Sequence, residues 1–273
     1  MTWQDGQTPL VAEIRQNLTD VQARIGAAAA RAGRDVRDVT LLAVSKTVDL
    51  DRMQAAFSCG QRHFGENRVQ EYLRKREAFK PIATEPAKTA AADVTEAPDT
   101  AAGMSGEAMA DTTEDTIRWH FIGRLQTNKV RQLAGHPLLL HALDRMPLLE
   151  ALIRQSRKTG CRWQVLVEVN VSGEESKAGV STDALEALLR MASQSGCVDI
   201  RGLMTVAPDV ADPELVRPVF RRLRELAVDI RSWKLDNVVM EHLSMGMSHD
   251  LDVAVEEGAT IVRVGTAIFG TRA

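Results

Sequence analysis

The sequence predicts an α/β fold, a (β/α)8 barrel in a single domain. Three observations carry this. Short β-branched or apolar runs alternate with amphipathic helical segments. The runs number eight, the count that closes such a barrel. A glycine- or polar-rich stretch follows most of them, and no run is followed by G-x-G-x-x-G, which weakens an open doubly wound sheet.

The strands are expected at 39–46, 63–67, 118–123, 138–143, 164–171, 200–206, 238–244 and 260–264. A helix at 11–32 precedes the first and takes the place a last helix would fill, since only residues 265–273 follow strand eight. Asp49 caps a helix running to Phe57, with Gly60 near its end. Leu185, Leu188, Leu189 and Ala192 form one stripe over 183–195, before Gly196. Pro213 sits in the first turn of a helix running toward Ile230. Ser248 is expected to cap a helix through Glu257, stopped by Gly258.

Composition agrees with one domain and a passenger. The 273 residues are 44% hydrophobic, enough for a sizeable core, and the net charge is -3. Within 81–116 lie eight acids (Glu85, Asp93, Glu96, Asp99, Glu107, Asp111, Glu114 and Asp115) against one base, Lys88. This Ala-, Thr- and Pro-rich stretch without an aromatic residue is expected to be a disordered acidic insertion between strands two and three. The rest of the chain is mildly basic, compatible with an anionic ligand. No run has the ~18 apolar residues of a membrane span, and the start lacks a signal-peptide pattern, so a cytoplasmic protein is expected, with neither membrane nor nucleic acid as partner. Cys59, Cys161 and Cys197 are widely spaced and read as buried apolar residues rather than a disulfide or zinc set. The six histidines show no metal-ligand spacing.

In such barrels chemistry sits at the C-terminal strand ends. Strand one ends in Lys46, which by alternation shares a face with Val44. A partly desolvated lysine there can form a Schiff base with an aldehyde, or it can swing into solvent. Strand seven ends Ser244-Met245-Gly246-Met247-Ser248 and strand eight ends Arg263-Val264-Gly265-Thr266. Glycines and hydroxyls after these two strands can form a phosphate cradle, or serve each as a turn or a cap. Arg263, facing inward, requires an interior carboxylate or a ligand. Asn67 tops strand two, and Glu168, Asn170 and Ser172 share one face of strand five.

Seven stretches carry a resemblance to a known family: LLAVSKT (41–47), FGENRVQE (64–71), WHFIGRLQTNK (119–129), VNVSGEESKAG (170–179), RGLMTVAP (201–208), LSMGMSHDL (243–251) and VRVGTAIFGTR (262–272). The chain resembles fold-type III pyridoxal-phosphate proteins of the alanine racemase class, and most closely the pyridoxal phosphate homeostasis (YggS) family. The resemblance implies pyridoxal 5'-phosphate as cofactor, bound as a covalent aldimine at Lys46. It implies Ser244, Gly265 and Thr266 as phosphate binders with Gly246 and Ser248 close by, Arg263 facing the pyridine nitrogen, and Asn67 beside the ring. His249, where relatives commonly have an acid, and the 81–116 insertion depart from the pattern.

A carrier is expected rather than a robust enzyme. An arginine at the ring nitrogen only donates, so the ring stays unprotonated and its electron sink weak. Racemases of this fold take a second base, a tyrosine, from a partner's C-terminal domain. The one tyrosine here is Tyr72, on the helix after strand two. The resemblance implies cofactor-dependent apo-enzymes as recipients, and a monomer is expected. The alternatives are a low-activity racemase, with His120 or His242 as base, and a cofactor-dependent regulatory binding protein. A phosphosugar-metabolising barrel ranks behind them.

Overall fold

The computed structural model of the protein describes residues 8–79, 116–174 and 178–270. Eight parallel strands close into a barrel in chain order, with β8 returning to β1. They are β1 (Thr40–Val44), β2 (His63–Glu66), β3 (Arg118–Phe121), β4 (Leu138–Leu143), β5 (Trp163–Glu168), β6 (Val198–Met204), β7 (Val238–Ser244) and β8 (Ile261–Val264). Around them lie α1 (Pro9–Arg31), α2 (Leu50–Ser58), α3 (Val69–Phe79), α4 (Val130–Leu133), α5 (Met146–Thr159), α6 (Thr182–Ser195), α7 (Arg217–Ser232), α8 (Leu251–Glu256) and α9 (Thr266–Phe269). The helix α1 packs against α2, α8 and α9, closing the outer ring where a last helix was expected.

Local chemistry sets the helix ends. Asp49 accepts from the Arg52 amide at 2.7 Å and starts α2. Ser181, one residue outside α6, accepts from the Ala184 amide and starts that helix. Asp212 caps a short 3-10 turn, Pro213–Val216, which leads into α7. Several element ends shift by one to three residues from expectation, and two of the shifts have a visible cause. The strand β5 stops at Glu168, because Val180 turns back and donates to the Glu168 carbonyl at 2.7 Å. The helix α8 starts at Leu251, because Asp250 is drawn back to accept from the Met247 amide at 2.6 Å.

Apolar burial separates into two layers, as the alternation of strand side chains requires. Leu42, Ala142, Leu166, Met204 and Ile261 plug the barrel, with Ile122 and Leu139 packed on them. A larger layer, including Phe64, Trp119, Val165 and Leu203, faces the helices. Trp119 meets Tyr72 and Phe79 edge-on, and Trp163 donates to the Leu152 carbonyl at 3.1 Å; both indoles pack beside their strands. Each fully buried leucine contributes roughly 1.5–3 kcal/mol. The three cysteines are half-buried free thiols rather than fully buried residues, each lying at a helix end or strand approach. The expected acidic insertion lies outside the described residues except for Thr116. No described helix is long and apolar enough to cross a membrane.

The β6–β7 pairing shifts register between Ile200 and Gly202. Gly202 has φ +152°, and a side chain there would overlap the His242 carbonyl. Gly202→Ala is therefore expected to lower the unfolding free energy by about 3 kcal/mol or more in urea. Gly135→Ala, at φ +75° with open space around it, is expected to cost only about 1–2 kcal/mol. Equal losses would contradict this packing.

Candidate functional site

The C-terminal ends of β1 and β8 and the loop after β7 enclose one cleft of about 720 Å³, the size of a small-molecule site. Lys46, Ser248, His249, Arg263, Gly265 and Thr266 line it, beside Val44, Ile122 and Phe269. The strand β1 ends at Val44, short of the expected Lys46, and the loop that follows brings Lys46 to the cleft beside Val44. On β8, Arg263 points inward and Gly265 and Thr266 follow at the rim. Gly265 packs against the Val44 carbonyl, which a side chain would meet at 3.3 Å.

The loop carrying Lys46 is held by a second lysine that sequence reasoning missed. Lys75, on α3, is fully buried and donates to the Ser45 carbonyl at 2.6 Å. The same ammonium pairs with Glu66 at 2.9 Å and Glu71 at 2.6 Å. Ser45 donates to the Glu66 carboxylate at 2.6 Å, and the Thr47 amide donates to Glu71 at 2.7 Å. Burial pushes the Glu66 carboxyl up, opposed by the Lys75 charge. Thr47 sits at φ +63°, unusual for a β-branched residue, and the Glu71 bond holds it there. Residues on both sides of Lys46 are thereby pinned. The available signal was the i, i+4 pair Glu71–Lys75, whose burial the spacing alone does not reveal.

Arg263 is buried, with its guanidinium wedged across the barrel. It donates to the Ser244 hydroxyl at 2.7 Å and to the Thr205 carbonyl at 2.8 Å. Both partners are neutral, so burial lowers its pKa to about 10 against more distant help from Asp250 and Glu168. Across the mouth, burial and the neighbouring Asp144 raise Glu168 to about 7. Asp144 is itself paired with Arg124 at 2.8 Å and with Arg145.

Five of the eight residues expected at the site line the cleft: Lys46, Ser248, Arg263, Gly265 and Thr266. Ser244 does not. Its hydroxyl is fully buried between His141, at 2.9 Å, and Arg263, so it supports the arginine. Gly246 does not line the cleft either. At φ +90° it brings the loop against α8, where a side chain would meet the Ala254 methyl at 2.5 Å. Asn67 directly follows β2, with its Oδ1 buried and without a hydrogen-bond partner among the described residues. Its backbone is pressed by Gly123, where any side chain would collide.

Ser248 is not the cap of α8. Its hydroxyl lies 3.5 Å from the Ala267 amide, and its carbonyl accepts from Arg24 at 2.9 Å, which turns it toward the cleft. Asn170 and Ser172 leave the strand face expected of them. Beyond the end of β5 they fold into a turn, with Asn170 accepting from the Gly173 amide at 3.1 Å. His120 and His242, weighed as bases for a racemase, are not among the cleft residues; His249 is. No group of described residues could hold a metal ion.

Fold and site define a class: a closed (β/α)8 barrel with a lysine after strand one and an inward arginine on strand eight. The family described as alanine racemase, N-terminal domain, matches residues 16–273. A pyridoxal phosphate homeostasis protein of Aquifex aeolicus is 42% identical over 257 residues, covering 94% of this chain and 97% of the relative. That of Escherichia coli is 36% identical over 261 residues, covering 95% and 97%. A solved structure of PipY from Synechococcus elongatus, with PLP bound, matches with a TM-score of 0.71 at 30% identity, covering 94% of this chain and 100% of that one. The chain belongs to the pyridoxal phosphate homeostasis protein family.

The buried ammonium makes a direct prediction. Lys75→Met strands the Glu66 carboxylate and is expected to cost about 3–5 kcal/mol in urea unfolding. Adding Glu66→Gln should recover part of that loss. A single variant as stable as wild type would remove the network from the account.

Proposed function

We propose that the protein binds pyridoxal 5'-phosphate in this cleft, holds it covalently through Lys46, and releases it to cofactor-requiring apo-enzymes without robust catalysis of its own. The observation that carries the reading is the donor set. A lysine amine and a buried guanidinium whose hydrogen-bond partners are both neutral line one cleft, with two hydroxyls and a glycine at its rim. The residues fit the cofactor: an amine for its aldehyde, a donor for its ring nitrogen, and Ser248, Gly265 and Thr266 for its phosphate. Asn67, whose Oδ1 has no hydrogen-bond partner among the described residues, is assigned to the ring's flank. When bound, the cofactor supplies an aldehyde that condenses reversibly with a lysine amine and releases one water.

Arg263 also bears on catalysis. A guanidinium donates and never accepts, so it offers an aromatic nitrogen no proton to share as a carboxylic acid would. Carbanion stabilisation by the ring is then weak. Tyr72 cannot act as a second base in the cleft. It is fully buried against Trp119 on the outer wall, and burial raises its hydroxyl to about 12. The relatives named as homeostasis proteins support the same reading. The protein acts as a cytoplasmic monomer in this account.

An absorption titration tests it. Adding pyridoxal 5'-phosphate to wild type is expected to produce a visible band that Lys46→Ala lacks. Arg263→Gln should shift that band while retaining affinity within roughly tenfold. A wild-type protein that gains no band, or a Lys46→Ala variant with an unchanged one, would overturn the proposal.

A further inference from the structure

Behind Arg263 an unbroken row of polar side chains runs through the barrel to its opposite mouth. His63 Nδ1 lies 2.9 Å from His120 Nε2, and His120 Nδ1 lies 2.8 Å from His141 Nε2. His141 Nδ1 lies 2.9 Å from the Ser244 hydroxyl, which accepts from Arg263 at 2.7 Å. The row draws on five strands. Register explains the geometry: Gly65 pairs with His120 and His120 with Leu139, so His63, His120 and His141 advance by one side-chain repeat per strand. The same step recurs where Ser244 pairs with Ile261, two residues before Arg263. His120, His141 and Ser244 are buried. His63 lines a hollow at the N-terminal mouth with Thr40, Gln61 and Arg118, while Arg263 lines the cleft at the other end.

Proton counting restricts what this row can be. A neutral imidazole has one donor nitrogen and one acceptor nitrogen, and each contact needs one hydrogen. Arginine only donates, so it takes one lone pair of the Ser244 oxygen. In one arrangement the Ser244 hydroxyl donates to His141, His141 Nε2 donates to His120, and His120 Nε2 donates to His63. Every contact is then satisfied. In the reverse arrangement the Ser244 oxygen receives two donors and its own hydrogen has no acceptor in the row. A buried group left unsatisfied costs about 1–3 kcal/mol. A protonated ring would turn the row beyond it round, so that His141 donates to Ser244 and the hydroxyl hydrogen again has no acceptor in the row. Burial and the neighbouring positive groups hold His120 and His141 well below the ordinary histidine range, which keeps both rings neutral.

We propose that His63, His120 and His141 are positioning residues for Arg263, joined through Ser244 in a relay of single hydrogen-bond polarity that couples the N-terminal mouth of the barrel to the cleft. A change at either end then passes from ring to ring. This rests on the cofactor reading only for what Arg263 ultimately faces; the relay itself belongs to the cofactor-free protein.

The test is 15N NMR of the imidazole nitrogens in cofactor-free protein, for wild type, Ser244→Ala and His63→Phe. Wild type is expected to show His120 and His141 neutral, each with its hydrogen on Nε2. Ser244→Ala removes the hydroxyl that sets the polarity, so His120 and His63, neither of which touches Ser244, are expected to shift toward the opposite tautomer. Ser244→Thr, which keeps a hydroxyl, should restore the wild-type pattern. His63→Phe acts at the accessible end and should shift His141. Changes confined to the ring next to each substitution, or wild-type rings with hydrogen on Nδ1, would overturn the relay. In a parallel arm with pyridoxal 5'-phosphate added, His63→Phe is expected to displace the visible band. A displaced tautomer without any band in wild type would sink the cofactor reading and leave the relay standing.

Discussion

A guanidinium inside a closed barrel is the constraint around which the polar interior is organised. Arg263 is 5% exposed and cannot shed its charge at neutral pH. Leaving such a group without acceptors would cost several kcal/mol. The barrel answers with neutral acceptors, the Ser244 hydroxyl and the Thr205 carbonyl, and with no carboxylate in direct contact among the described residues. The choice matters for chemistry. An interior carboxylate would neutralise the arginine and end its demand for a ligand, whereas neutral acceptors hold it in place and leave its positive charge available to the cleft.

A different device fixes the other side of the cleft. Lys46 comes from a short loop, and loops are poor platforms for placing an amine. Here Lys75 and Glu71 bind the backbone on either side of it, and Glu66 holds the Ser45 hydroxyl and the Lys75 ammonium. A buried ion network of this kind is weak evidence for stability, since an apolar replacement can be as stable. Its contribution is geometric: it specifies the conformation of residues 45–47, including the left-handed Thr47. The barrel thus pairs a cation held by neutral partners at β8 with a lysine loop held by charged partners at β1.

Much of this was legible in the sequence because alternation and capping are local. Eight runs, the inward face of Arg263, the Asp49 cap and the place of Lys46 close to the end of strand one all follow from spacings of a few residues. What was not legible depends on who lies across the barrel. Ser244 reads as a strand-end hydroxyl ahead of a glycine loop, and only closure of the barrel brings His141, 103 residues away, against it. The three histidines look unrelated because each belongs to a different strand, and register alone aligns them. Ser248 reads as a helix cap until Asp250 turns back to Met247 and delays the helix. Strand five reads as longer than it is because Asn170 and Ser172 keep the alternation after the chain has already turned.

The central claim is that Lys46, and no other lysine, is the covalent tether beside the buried arginine. It is tested most directly by loading the protein with pyridoxal 5'-phosphate, reducing with borohydride and mapping the modified peptide by mass spectrometry. The account predicts a single phosphopyridoxyl group on Lys46. Modification at Lys75 or Lys129 instead, or no stable modification at all, would contradict it.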